Sequence, residues 1–151
     1  MDKKDIKIIQ LLLGDGRMKL KAMAKKLGLP ITTVYNRLNA LEKKGIVRIK
    51  AVPDHKKMGY GVEVYVLVNI DTSSKRVNQE KLSAELAKLP GVLNVAVVTG
   101  SRDMIVRAVA KDMDELSGLI LKRLRDFDGV ASTETLVVLK NQEAGPAKLL
   151  R

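Results

Sequence analysis

The 151-residue chain contains no cysteine and only one histidine, His55. The missing cysteines exclude disulfides, thiolate nucleophiles and Cys-based zinc sites. A single histidine excludes every histidine dyad and most remaining metal sites. It stands in a breaker-rich stretch and reads as a solvated side chain. No metal ion and no cofactor is expected. No apolar run approaches the ~18 residues that a membrane helix requires, so no membrane partner is expected. The start, Met1-Asp2-Lys3-Lys4-Asp5, is charged and no signal-type apolar core follows it. The cytoplasm is the default compartment. No Ser-His-Asp arrangement, paired catalytic carboxylates or phosphate loop is present, and no enzyme activity is expected.

What the chain does contain is 46% hydrophobic and 30% charged residues, which suits one ordinary domain or two small ones. Its net charge of +11 is unevenly spread. Residues 1–60 carry 15 Lys and Arg against 5 Asp and Glu, a net of +10. Residues 61–151 carry 13 against 12, a net of +1. Two parts with different electrostatic work are the simplest reading. The basic part points to a polyanion, double-stranded DNA first among them.

Three helical patterns follow one another in the basic part. Ile6, Ile9 and Leu13 make the first stripe, which Gly14-Asp15-Gly16 ends. Leu20, Met23, Ala24 and Leu27 make the second, with Gly28 as its C-terminal stop. Pro30 suits the first turn of a third helix, because its missing N–H costs nothing there. That helix runs to about Lys44, with Val34, Leu38 and Leu41 as its apolar stripe. Its opposite face carries Thr32, Asn36, Asn39 and Lys43, with Arg37 on the flank. Such hydrogen-bonding side chains reach base edges in a major groove, whereas an ordinary solvated face would be Glu and Lys. Two short helices joined through Gly28-Leu29-Pro30 give the helix-turn-helix layout, with the third helix as the reading element. Its first amides and the Thr32 and Thr33 hydroxyls are candidate phosphate contacts. Residues 46–52 alternate and read as a strand. Arg48 and Lys50 on it are either a basic wing against the DNA backbone or the charged face of an edge strand.

Residues 53–61 are rich in breakers and charges and read as a linker. Beyond them the pattern is β-α-β-β-α-β. Strands are expected at 61–70, 92–98, 104–110 and 132–140. One helix carries Leu82, Leu86 and Leu89, and a second spans 112–127. This is the ferredoxin-like order. The tail after Asn141 reads as frayed apart from Leu149 and Leu150. The fold class is thus α+β: an N-terminal winged helix-turn-helix over 1–52, a linker over 53–61, and a ferredoxin-like domain over 62–151. Helices cover one sheet face. The other carries apolar residues at odd positions: Tyr65, Leu67, Ile105, Val109, Val137 and Leu139. A second copy of the chain is the expected cover.

The order and spacing of these motifs resemble the Lrp/AsnC (feast/famine) family across nearly the whole chain. The resemblance rests on Asp5-Ile6-Lys7-Ile8-Ile9, Met23-Ala24-Lys25-Lys26-Leu27-Gly28-Leu29 and Thr33-Val34-Tyr35-Asn36-Arg37-Leu38. It continues through Leu41-Glu42-Lys43-Lys44-Gly45-Ile46-Val47, Met58-Gly59, Gly100-Ser101-Arg102-Asp103 and Thr133-Glu134-Thr135-Leu136-Val137-Val138. Pro30 departs from the serine that relatives often place before the reading helix. The resemblance implies a transcription regulator whose second domain, the RAM domain, dimerises through its sheets and binds a small effector, usually an amino acid. Dimers of this type commonly build tetramers or octamers. By position, Gly100 offers a close backbone approach, Asp103 a carboxylate for an α-ammonium group, and Arg102 a cation for an α-carboxylate. Thr99 and Ser101 line the rim, with Thr133 and Thr135 as further lining candidates. Two alternatives stay open: an architectural DNA-compacting protein of the same fold, and a relative turned sirohaem decarboxylase. The enzyme reading has only His55 to draw on.

Overall fold

Asp2 starts the first helix. Its Oδ1 accepts the backbone N–H of Lys4 and Asp5 at 2.8 and 2.9 Å, and Asp5 returns a bond to the Asp2 N–H at 3.0 Å. This reciprocal capping box fixes α1 at Lys3–Gly14. Helix α2 spans Leu20–Leu27 and ends on Gly28, whose left-handed φ of 63° suits glycine. Helix α3 spans Ile31–Lys43, with Pro30 at its cap position. Ile8, Met23, Ala24, Val34 and Leu41 form the core that the three helices share. The structure is a computed structural model, and it describes residues 1–71 and 78–142. Two compact units divide between Val52 and Pro53. The tail containing Leu149 and Leu150 lies outside the described residues.

The strand expected over 46–52 does not form. Alternation proposes a strand, but a strand exists only where a neighbour takes its backbone N–H and C=O groups. Among the described residues no segment pairs with 46–52. Residues 53–61 group with the second unit and fold into turns, in which Tyr60 N–H donates to the His55 carbonyl at 2.9 Å.

The second unit has the expected order: β1 (Val62–Ile70), α4 (Gln79–Leu86), β2 (Val92–Val97), β3 (Met104–Ala110), α5 (Met113–Leu119) and β4 (Val130–Val137). Its antiparallel sheet runs β2-β3-β1-β4. Val64, Val66 and Val68 alternate inward and meet Leu82, Leu86, Leu116, Ile120 and Leu124 from the helices. The helix expected over 112–127 is shorter and changes type. After Leu119 it widens into a π-helical turn over Ile120–Leu124, closed by a bond from Arg125 N–H to the Ile120 carbonyl at 3.2 Å.

The sheet register corrects one expectation about the uncovered face. Tyr65 pairs with Leu136 and Leu67 with Glu134, while Val64 pairs with Val137. Directly paired residues share a face. On β4 the outer face therefore carries the even positions Ser132, Glu134 and Leu136, and Val137 lies on the helix side. Leu139 lies beyond the strand. Tyr65, Leu67, Ile105 and Val109 do share the outer face, joined by the ion pair of Glu63 and Arg107 at 2.7 Å.

Candidate functional sites: a recognition helix and a polar cluster on the sheet

On α3, Val34 and Leu41 are buried, which turns Thr32, Asn36 and Lys43 outward, and all three are exposed. Thr33 and Asn39 are half-buried. No side chain caps the start of the helix. A proline cannot fold back to accept the first amides as a serine would, so the positive end of α3 is not offset by a capping side chain. Two residues passed over in the sequence complete this surface. Ile31 and Tyr35 are one helical turn apart and 48% and 51% exposed. Tyr35 lies about 100° from Val34, outside the buried stripe, and that was an available signal; Ile31 lies only about 20° from Leu38 and carried none. Arg48 and Lys50 are exposed on the unpaired segment.

Arg37 is placed differently. Its Nη1 donates to Asp2 Oδ2 at 2.6 Å and to Asp5 Oδ1 at 2.8 Å, tying α3 to the start of α1. The bonds from Asp5 and then Asp2 hold the guanidinium pKa above its ordinary value. Backbone N–H donation, with Arg37 adding to it, holds both carboxyls below the usual aspartate value. The stabilisation from the cluster is therefore complete above the ordinary aspartate pKa. It is lost as pH falls from there through the lowered native values.

In the second unit, the β2–β3 turn carries Thr99, Gly100 and Ser101 exposed at its tip. Gly100 has a φ of 128° and open space around its Cα, so backbone there can be approached closely. Asp103 anchors the turn: its Oδ2 accepts Ile70 N–H at 2.8 Å and its own N–H donates to the Val68 carbonyl at 3.1 Å. Arg102 pairs with Glu134 on β4. Asn69 sits beside this pair. With its amide turned so that the oxygen faces Arg102, the orientation that satisfies both ends, the nitrogen donates to the Ser101 carbonyl at 3.2 Å and the oxygen accepts from Ser132 Oγ and Arg102 Nη1, each at 3.1 Å. The cluster thus unites Ser101, Arg102 and Asp103 with two residues that sequence reasoning missed, Asn69 and Glu134. Both carried a signal: a polar side chain at the end of the outward row Tyr65, Leu67, Asn69, and a carboxylate between two threonines. Thr133 and Thr135 are not brought to this cluster. They pair with Val68 and Val66 on the helix side, where Thr133 Oγ1 accepts from Arg125 Nε at 3.1 Å.

Among the described residues no helix is long and apolar enough to cross a membrane, and no group of three or more His, Asp and Glu side chains could hold a metal ion. Two family models match: winged helix-turn-helix DNA-binding over residues 1–48, and the Lrp/AsnC ligand binding domain over residues 63–146. An uncharacterized HTH-type transcriptional regulator of Pyrococcus furiosus is 32% identical over 138 residues, 91% of each chain. The HTH-type transcriptional regulator FL11 of Pyrococcus horikoshii is 31% identical over 144 residues, 95% of this chain and 92% of that one. Among solved structures, the L-Met complex of a transcriptional regulator from Neisseria meningitidis superposes with a TM-score of 0.87. It is 28% identical and the match covers 97% of this chain and 95% of that one. AsnC of E. coli shares the fold with a TM-score of 0.85 at 23% identity, over 95% of each chain. Helix-turn-helix, ferredoxin-like sheet and both family matches agree: the chain belongs to the Lrp/AsnC family of DNA-binding transcriptional regulators.

Proposed function

We propose that this regulator reads double-stranded DNA through α3 as a symmetric dimer and answers to an amino acid bound at the Arg102 cluster. The observation that carries the DNA half is the outward face of α3: Thr32, Asn36 and Lys43 exposed beside Ile31 and Tyr35, on a helix with an uncapped N-terminus. Residues 1–52 are the reading domain and 62–151 the sensing and assembly domain. Asn36 and Asn39 meet base edges, while Thr32, Thr33, Lys43, Arg48 and Lys50 meet the backbone. Asn36→Ala is expected to lower affinity for the best site by about 1–3 kcal/mol and to relax preference at one base pair. Lys43→Ala should weaken all sequences alike and flatten the salt dependence by about one phosphate. Titration of operator and random duplexes over a range of salt separates the two. Wild-type binding by both variants would remove α3 from the interface.

The sensing half rests on the Arg102 cluster and on the L-Met held by the Neisseria regulator. Asp103 has one oxygen committed to Ile70 N–H, so it holds the turn in shape. Arg102 and Glu134 are already a charge pair of the kind that a zwitterion divides, with its carboxylate on Arg102 and its ammonium on Glu134. Arg102→Ala should therefore weaken amino-acid binding at least about tenfold, roughly 1.4 kcal/mol. Calorimetry with the twenty amino acids measures this. An amino acid bound equally well by the variant would contradict the assignment. The protein works in the cytoplasm as a binding protein without catalytic activity. Effector and assembly are linked reciprocally: a ligand that favours one oligomer binds that oligomer better.

A further inference from the structure

We propose that Arg37 is a positioning residue of the recognition helix, held off the DNA by Asp2 and Asp5. The inference rests on the reading that α3 enters the groove. Four carboxylate oxygens divide the work evenly. Asp2 Oδ1 accepts the Lys4 and Asp5 N–H groups, and Asp5 Oδ2 accepts the Asp2 N–H. The remaining two, Asp2 Oδ2 and Asp5 Oδ1, both take Arg37 Nη1. Each aspartate thus gives one oxygen to the α1 cap and the other to α3. The cap of one helix and the orientation of another are a single structure, closed over 35 and 32 positions of sequence.

Direction and charge agree with this role. At about 100° per residue, Arg37 lies roughly 60° from the buried Val34, on the flank toward α1, and far from the Thr32–Asn36–Lys43 face. Its side chain is less than one-third exposed, and that of Asp5 less still. One guanidinium with two carboxylates carries a net charge of −1. The cluster therefore gives no attraction to a phosphate, in a region that spends two of its five acidic residues on it. Base readout requires side chains held within about 0.5 Å of their working geometry, and a cross-link to α1 supplies that hold.

The test is the full-length protein binding its selected operator and a random duplex over a range of salt. A positioning role predicts that Arg37→Ala weakens operator binding about 10–100-fold, with the random duplex and the salt slope nearly unchanged. Asp2→Asn keeps a good helix cap and removes a negative charge facing Arg37. It should also weaken operator binding several-fold, although it makes the domain more basic. A phosphate contact predicts the reverse on both counts: a slope smaller by about 0.9 for Arg37→Ala, and tighter binding of every duplex by Asp2→Asn. Either of these results overturns the proposal. Asn36→Ala tests the underlying reading in the same assay. If it keeps full operator preference, the recognition-helix assignment falls and the positioning role falls with it. If Arg37→Ala melts below the assay temperature, Asp2→Asn alone decides by the sign of its effect.

Discussion

Gly91→Ala is expected to destabilise the second unit by about 3 kcal/mol. Gly91 follows Pro90 at the entry to β2 and has a φ of 85°, where an L side chain is strained by about 1–2 kcal/mol. A Cβ built there would also lie 2.6 Å from the Val109 carbonyl oxygen. Backbone must move to relieve that overlap. The backbone at stake includes the Val109 N–H, which donates to the Gly91 carbonyl at 2.8 Å. Losing that bond costs about a further 1 kcal/mol. For a unit of this size, about 3 kcal/mol lowers Tm by on the order of 10–20 °C. Gly28→Ala is the comparison. Gly28 also has a positive φ, 63°, but nothing lies within 4 Å of a Cβ there. It should cost only about 1 kcal/mol, in the helix-turn-helix unit. Equal losses at the two sites would show that conformational strain alone, without the overlap, governs both.

Leu136→Lys is expected to raise the dimer dissociation constant at least about 100-fold, whereas Val137→Lys leaves it nearly unchanged. The two residues are adjacent and each is 46% exposed in the single chain. They differ only in face. Leu136 pairs with Tyr65 on the outer surface that also holds Leu67 and Ile105, and Val137 pairs with Val64 on the helix side. A second copy packed on the outer face would bury an ammonium without a partner, at a cost of several kcal/mol. Twofold symmetry would bury it twice. A hundredfold change is about 2.7 kcal/mol, so the expectation is a conservative one. Sedimentation over a range of concentration reads it out. Dissociation by Val137→Lys with Leu136→Lys intact would put the interface on the other side of the sheet.

The elements that could be read from the sequence are those whose cause is local. The Val34–Leu38–Leu41 stripe, Gly28 as a helix stop and the even-numbered valines of β1 each declare their structure within one or two turns or pleats. The order β-α-β-β-α-β followed from them. What could not be read depends on residues far apart. Which face of β4 is outward is decided by its register against β1, and odd or even numbering within one strand says nothing about another. The register also shifts between Asn69 and Ile70. Thr133 and Thr135 fell on the helix side for the same reason. Residues 46–52 alternate as a strand does, but pairing needs a neighbour. The ion pairs of Arg37 with Asp2 and Asp5 could not be read either, because those partners are more than thirty positions away. Glu134 and Asn69 entered the cluster only once β4 was laid beside β1.

Reading of DNA by α3 is measured most directly by selecting bound duplexes from a random library, with wild-type protein and Asn36→Ala side by side. Wild type should enrich a short, twofold-symmetric motif. Asn36→Ala should enrich the same motif with preference lost at one base pair in each half-site. Even enrichment of all sequences by wild type, or an Asn36→Ala motif identical to that of wild type, would contradict reading by α3.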